Sequence, residues 1–217
     1  MAAVGLVYVG AVLFVNGIML LGHVTPRAVA PLNFFVGGLQ VLTPTYLIVV
    51  ADGDPGAIAL AAGLYFFGFT YLWVGLNSVT GWPNDGLGWF SITVTAAGVV
   101  FAVYSWTVVG DRAFTVLWLL WALLWFSFFV LMALRRDGLA PVVGVLAASY
   151  GVITTGVPGL LLLGGWWEDS GLLAAVLAFL GLLMVPLSFP LSRVLSARPA
   201  PPQPAGTAAA DERKSHA

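Results

Sequence analysis

The side chains with the most distinctive spacing in this chain form an aromatic stripe in the segment 113–134. Because an α-helix turns by about 100° per residue, five rings fall within an arc of ~80°: Phe114, Trp118, Trp121, Trp125 and Phe128. Trp121 and Trp125 lie deeper than an interfacial anchor would, and an indole N–H inside a bilayer needs a hydrogen-bond partner. Water in a narrow passage would supply that partner. Side chains that face lipid, or that pack between helices, would explain the stripe equally well.

Two other apolar segments carry matching faces with few polar groups. One face of 56–78 contains, below Gly63, the residues Phe67, Thr70, Tyr71, Val74 and Asn77. A stripe in 3–22 carries a single amide and consists of Leu6, Val9, Leu13, Asn16 and Leu20. A buried Asn in a membrane more often bonds to a neighbouring helix than to a ligand. Flat aromatic slots with sparse polar groups suit a planar, polar, uncharged molecule such as urea or a small amide.

Groups that support charge-dependent chemistry are absent from the apolar segments. None of them contains Asp, Glu, Lys, Arg or His, the residues that mark ion pathways and proton relays in membranes. The single Lys, Lys214, lies in the C-terminal stretch, which excludes a retinal Schiff base, and an intramembrane protease would need a His, a metal site or paired aspartates. Cysteine is absent altogether. We therefore expect no catalytic residue, cofactor, metal ion or nucleic-acid partner, and no proton- or cation-coupled transport.

Seven apolar segments must position these side chains. The chain is 60% apolar and 8% charged, with the charges confined to short loops and the C-terminal stretch, which is typical of an all-α integral membrane protein. The segments, each near the ~20 residues that a bilayer requires, are 3–22, 29–50, 56–78, 87–108, 113–134, 141–163 and 171–192. They form one transmembrane domain, 1–196. The Pro- and Ala-rich stretch 197–217 is predicted to be a disordered tail.

The distribution of positive charges predicts the orientation of the chain across the membrane. Seven of the eight Lys and Arg residues fall on one side of a seven-span arrangement: Arg27, Arg135, Arg136, Arg193, Arg198, Arg213 and Lys214. The other side holds Arg112 together with Asp52, Asp54, Glu168 and Asp169. The positive-inside rule then places the N-terminus outside and the tail in the cytoplasm, across a bacterial inner membrane.

Five groups of residues occur in order along the first six segments. They are Val7-Tyr8-Val9-Gly10 with Asn16-Gly17; Asn33-Phe34-Phe35-Val36-Gly37-Gly38-Leu39; Phe67-Gly68-Phe69-Thr70-Tyr71-Leu72 with Asn77; the spacing of Trp118, Trp121 and Trp125; and Gly151-Val152-Ile153-Thr154 with Pro158. In these stretches the chain resembles the urea/amide channel family, the AmiS/UreI family. The resemblance implies a bundle of six core helices with the pore inside each protomer, and protomers assembled into a homohexameric ring.

The resemblance also implies which residues line the path. The constrictions would be formed by Phe67, Tyr71, Trp118, Trp121, Leu124 and Trp125. The facing wall would be formed by Leu6, Val9, Leu13 and Asn16. Thr70 and Tyr150 complete the predicted path, although Tyr150 stands where the urea channels of the family carry a Glu, so the polar anchor differs here. Two further departures are a seventh segment after the family core and outer loops that lack the His residues of acid-gated members.

These observations predict a passive channel for urea or short-chain amides that is not acid-gated. Its partners would be the small neutral solute, the lipid bilayer and further copies of the chain. The alternatives are a non-conducting scaffold or partner subunit and an uncoupled carrier. A dry, fully packed interior would favour the scaffold, whereas a continuous narrow path between Trp121 and Tyr71 would favour the channel.

Overall fold

The computed structural model describes residues 2–197, and the regular structure in that range is entirely helical. Seven helices are long and apolar enough to cross a membrane: α1 (Ala2–Leu20), α2 (Pro26–Val49), α3 (Pro55–Thr80), α4 (Asp85–Val109), α5 (Arg112–Met132), α6 (Asp137–Leu163) and α7 (Gly171–Leu195). Each coincides with one expected segment. The largest difference is at the start of α6, which begins at residue 137 rather than 141. Apart from Ala197, the expected disordered tail lies outside the described residues.

Short polar loops define the ends of these helices. The Asp54 carboxylate caps α3 by accepting hydrogen bonds from the N–H groups of Gly56 and Ala57 at 3.1 and 3.2 Å. Ser170 caps α7 in the same way, through the N–H of Leu173 at 3.1 Å. Each cap supplies an acceptor for the otherwise unpaired N–H groups of a first helical turn. At the other end of α3, Gly81 adopts the left-handed conformation, φ 73°, that commonly ends a helix.

The first six helices pack most extensively as three pairs, α1 with α6, α2 with α3 and α4 with α5. Glycines permit the closest approach of α1 to α6. A methyl group at Gly10 would lie 2.6 Å from the carbonyl oxygen of Gly151, and one at Gly17 would lie 2.5 Å from that of Gly144. Side chains larger than hydrogen would therefore force these helices apart, as expected for small-residue packing in membranes.

Helix α6 departs from α-helical geometry near its middle. The backbone forms a π-helical segment at Gly151–Gly156, a widening that often marks functional positions. Thr154 and Thr155 in this segment are fully buried. Their hydroxyls donate to the carbonyl oxygens of Tyr150 and Gly151 at 2.7 and 2.6 Å respectively. The segment directs Thr154 toward α5, where it meets Trp121.

The seventh helix packs against α5 and α6. Gly181 lies at this contact, because a methyl group there would be 2.5 Å from the side chain of Leu120. Its carbonyl oxygen accepts a hydrogen bond from the hydroxyl of Tyr150 at 3.0 Å. Near its end, α7 returns to the loop between α1 and α2, where the Ala197 N–H donates to the carbonyl of Leu21 at 2.8 Å. The seventh helix is thus bound to the bundle at mid-height and at one end.

Candidate pore

The two sides of the bundle differ in charge. We call one the arginine side, since among the described residues it carries Arg27, Arg135, Arg136 and Arg193. We call the opposite one the acidic side, and it carries Asp52, Asp54, Asp111, Glu168 and Asp169. A cavity enters the bundle from each side.

The arginine-side cavity has a volume of about 660 Å³. It reaches the loops at Thr25, Arg27 and Trp82. Its wall includes six of the predicted path residues: Leu13, Asn16, Thr70, Tyr71, Leu124 and Trp125. Val74 and Asn77 also line it, so most of the polar face predicted on α3 borders this cavity.

The acidic-side cavity has a volume of about 520 Å³ and reaches the loops at Val50, Ala51 and Asp111. Its wall includes four of the predicted path residues: Leu6, Phe67, Trp118 and Trp121. Among the described residues, the two cavities share no lining side chain. The interior is therefore neither fully packed nor crossed by a continuous opening between Trp121 and Tyr71.

An aromatic layer formed by Phe67, Trp121 and Trp125 separates the cavities. The Phe67 ring meets the Trp121 and Trp125 rings edge to face, with centroids 5.1 and 4.8 Å apart. All three side chains are at most 3% exposed. Phe67 and Trp121 line the acidic-side cavity and Trp125 lines the arginine-side cavity. The three rings therefore stand between the two cavities, packed in the edge-to-face geometry that aromatic quadrupoles favour.

Two predicted path residues line neither cavity. Val9 is fully buried on α1 between Leu6, which faces one cavity, and Leu13, which faces the other. It therefore lies at the height of the aromatic layer. Tyr150 is also fully buried, but its hydroxyl is directed to α7, where the carbonyl of Gly181 accepts its hydrogen bond. Tyr150 therefore lines neither cavity in this structure, because a buried hydroxyl needs an acceptor and the added helix supplies one; its place on the path stays a prediction.

Threonine side chains bind the two deep indoles. The Trp121 Nε1–H donates to the Thr154 hydroxyl at 3.0 Å, and the Trp125 Nε1–H donates to the Thr70 hydroxyl at 3.2 Å. The sequence correctly indicated that each indole N–H needs a hydrogen-bond partner. In the structure that partner is a threonine hydroxyl of a neighbouring helix rather than water in a passage. The role of Thr154 was missed, although its place in the matched Gly-Val-Ile-Thr stretch is a usable signal.

Asn16 combines the two roles considered for it. It exchanges hydrogen bonds with Asn33 of α2, at 2.9 Å in one direction and 2.8 Å in the other. This reciprocal amide pair is the interhelical contact expected for an Asn in an apolar span. Asn16 also borders the arginine-side cavity.

Three buried oxygens along the cavities have no hydrogen-bond partner among the described residues. Tyr71 Oη and Asn77 Oδ1 belong to the wall of the arginine-side cavity, and Gln40 Oε1 belongs to a residue that lines the acidic-side cavity. Gln40 was missed from the sequence, although it is the one glutamine inside a predicted span.

The rim of the acidic-side cavity contains a carboxyl with altered acidity. Asp111 caps α5 by accepting from the Phe114 N–H at 2.7 Å. Partial burial raises the pKa of Asp111 above its usual range, and the neighbouring Asp169 acts in the same direction, whereas hydrogen bonds from backbone N–H groups oppose the shift. Asp169 itself accepts from the Ala113 N–H at 2.9 Å.

The fold defines a polytopic, all-α membrane protein with opposed cavities inside one protomer. The chain belongs to the AmiS/UreI family of transporters, whose family model matches residues 1–166. Membership identifies it as a transport protein rather than an enzyme.

Three similar proteins show how far the likeness extends. A Mycolicibacterium smegmatis protein, named as a transporter of amidate substrates, is 53% identical over 197 residues, covering 91% of this chain and 92% of its own length. The Rhodococcus erythropolis transporter protein AmiS2 is 45% identical, covering 94% of this chain and 98% of its own. The cryoEM structure of the Helicobacter pylori urea channel in its closed state matches with a TM-score of 0.70 and 30% identity, over 77% of this chain and 100% of that one.

The position of α7 distinguishes these relatives. The family model ends at residue 166, before α7 begins at Gly171. The urea channel is matched along its whole length by 77% of this chain. The M. smegmatis match covers 197 of the 217 residues and leaves 20 unmatched. Whether those 20 lie at the start or at the end of the chain, the match includes α7. The residues that form α7 therefore lie within the match to a relative named for amidate transport.

Proposed function

We propose that this protein is a passive channel for urea and short-chain aliphatic amides. The observation that carries the proposal is the pair of cavities, about 660 and 520 Å³, that approach each other from opposite sides and are separated by a single aromatic layer. The names of the relatives, an amidate transporter and a urea channel, support the same class of solute.

The lining favours neutral solutes. Apart from Arg27 and Asp111 near the openings, the side chains that line the two cavities are uncharged. A charged group at the centre of a membrane costs about 2.5–3.5 kcal/mol or more without a counter-charge. A neutral planar molecule avoids this cost and exchanges its water for hydrogen bonds to groups such as Tyr71 and for contacts with aromatic faces.

Passage requires the aromatic layer to open. Phe67 and Trp121 block one cavity from the other in this structure, so a solute needs a displacement of at least one ring. Ring displacement is a local event that needs no energy source. This is the behaviour of a gated passive pathway, and it distinguishes a channel from a scaffold with a fully packed interior.

We place the chain across the bacterial inner membrane with the acidic side outside and the arginine side in the cytoplasm, in accordance with the positive-inside rule. An amidase or urease in the cytoplasm would consume the solute that enters. The family resemblance implies a ring of six protomers. Native mass spectrometry in mild detergent tests the number of protomers in the ring. Because α7 lies outside the family core, a closed ring of another size is the alternative outcome.

Proteoliposomes test the function directly. Stopped-flow light scattering should show that vesicles containing the protein re-swell faster in a urea or acetamide gradient than protein-free vesicles. Ala57→Trp, which places a large ring in the acidic-side cavity, should remove most of this difference. Val100→Trp, at a position that is 66% exposed, is the matched control and should conduct like the unmodified protein. Equal rates with and without correctly assembled protein would contradict the proposal.

A further inference from the structure

Gln40 lies about midway along α2 and contributes the buried carboxamide of the acidic-side cavity. Its side chain is 2% exposed, and its Oε1 has no hydrogen-bond partner among the described residues. Apart from Ser105 and Asp111, the other lining side chains of the same cavity are apolar or aromatic, among them Leu6, Phe67 and Trp121. A buried amide oxygen without a partner destabilises the fold, and a leucine at this position would not have that cost.

The neighbouring helices leave room for this carboxamide. A methyl group at Gly5 of α1 would collide with Gln40 Oε1. A methyl group at Gly68 of α3 would lie 2.9 Å from the backbone carbonyl oxygen of Gln40. Two glycines on two different helices thus let α2 approach closely while its amide stays in the cavity wall. The position is built to hold a polar group that the protein itself does not satisfy.

We propose that Gln40 is the solute-recognition residue of the acidic-side cavity, where its carboxamide pairs with the amide group of the solute. This inference rests on the proposed function. Gln40 Oε1 accepts an N–H of the solute, and Gln40 Nε2 donates to the solute carbonyl. Because Oε1 is buried against Gly5 in this structure, the carboxamide must turn toward the cavity for this pairing.

This chemistry separates solutes of similar size. Urea and primary amides present an N–H donor beside a carbonyl acceptor and match both parts of the Gln40 amide. N,N-dimethylacetamide keeps the carbonyl but has no N–H, so Oε1 would be left unpaired. Tyr71 lies beyond the aromatic layer in the other cavity and has its own unpartnered hydroxyl. Gln40 and Tyr71 therefore offer hydrogen bonds on opposite sides of the layer.

The test compares solutes in variants at and near Gln40. Gln40→Met keeps the length of the side chain and removes the amide. It should reduce the ratio of acetamide to N,N-dimethylacetamide permeability by about fivefold, the effect of roughly 1 kcal/mol from a lost hydrogen bond. Gly5→Ala, which displaces the carboxamide, should change the ratio in the same direction. Gly38→Ala is the control, because a methyl group there meets nothing within 4 Å.

The outcomes separate this inference from the function on which it rests. Unmodified protein that fails to conduct urea or acetamide overturns the channel itself. Unmodified protein that conducts, with a ratio unchanged within twofold in assembled Gln40→Met, overturns only the role of Gln40. If that variant does not assemble, competition in the unmodified protein decides: acetamide should slow urea entry at concentrations where N,N-dimethylacetamide does not, and equal slowing would refute the role.

Discussion

The Trp121 indole on α5 donates a hydrogen bond to the Thr154 hydroxyl on α6 at 3.0 Å. One turn further along α5, the Trp125 indole donates to the Thr70 hydroxyl on α3 at 3.2 Å. Two of the three rings in the aromatic layer are therefore held by threonines from different helices. The position of the layer depends on these two hydrogen bonds, and the first of them ends in the π-helical segment of α6.

Thr154→Val should loosen the layer. Valine has nearly the same shape but no acceptor, so the Trp121 N–H is left buried without a partner, which costs about 1–3 kcal/mol of unfolding free energy. Urea permeability should rise because the ring is less firmly held. Thr155→Val is the matched control, since that hydroxyl bonds within α6, to the Gly151 carbonyl, and not to an indole. Thermal unfolding and stopped-flow permeability measure the two effects, and identical behaviour of both variants would contradict the account.

Replacing Trp121 or Trp125 with Ala should change selectivity. Removing either ring opens a wider passage between the two cavities. Amides larger than acetamide should therefore enter faster relative to urea. Trp166→Ala, at a side chain that is 74% exposed, should leave this ratio unchanged. Assembly is checked by native mass spectrometry. Normally assembled layer variants with unchanged relative rates would show that solutes pass elsewhere.

Tyr150→Phe should affect the attachment of α7 rather than conduction. The variant loses the hydrogen bond to the Gly181 carbonyl, which is worth about 1 kcal/mol, while the ring still fills its site. We expect a lower unfolding temperature and faster proteolysis near α7, with urea permeability within twofold of the unmodified protein. A severe loss of permeability in stable, assembled protein would place Tyr150 on the path after all.

The sequence predicted the helices, and it singled out residues that mostly line the two cavities, because both depend on local patterns. Apolar length and helical periodicity depend on adjacent residues, and ten of the twelve predicted path residues line a cavity. The exceptions, Val9 and Tyr150, depend on contacts between distant parts of the chain. No periodicity within α6 indicates that Tyr150 meets Gly181, 31 residues away, on a helix outside the family model.

The polar groups were harder to predict for the same reason. Thr154 lies in the π-helical segment of α6 and accepts from Trp121 on α5, a contact between residues 33 positions apart in the chain. Gln40 is conspicuous as a glutamine in an apolar span. Whether its amide is paired or free depends on the space beside Gly5, which is a property of the packed bundle.

Permeability should change by less than about twofold between external pH 7.5 and 5, values that bracket the ordinary His pKa of ~6.5. His23 lies on the arginine side, bonded to the Leu195 carbonyl. On the acidic side the raised pKa of Asp111 means that its protonated form favours the folded state. Its stabilising contribution is therefore present in acid and is lost as the pH rises through the folded-state pKa. Its charge should matter little to a neutral solute.

Asp111→Asn provides the control for this prediction. The variant keeps an acceptor for the cap of α5 but does not titrate, so any residual pH dependence that arises from Asp111 should disappear. Asp169, the charged neighbour that also raises the pKa of Asp111, remains unchanged, as do Asp52, Asp54, Glu168 and Arg112 on the same side. A several-fold opening of the unmodified protein at the acid value, measured by stopped-flow light scattering on oriented vesicles, would contradict the absence of acid gating.

The most direct test of a passive pathway is the entry of labelled urea into proteoliposomes under imposed and dissipated gradients. With no Asp, Glu, Lys, Arg or His in the interior of the spans, initial rates should follow the urea gradient alone. They should be the same, within about 20%, when ionophores remove the proton gradient, the sodium gradient or the membrane potential. Entry that collapses when any of these is removed would contradict the channel and require a coupled carrier.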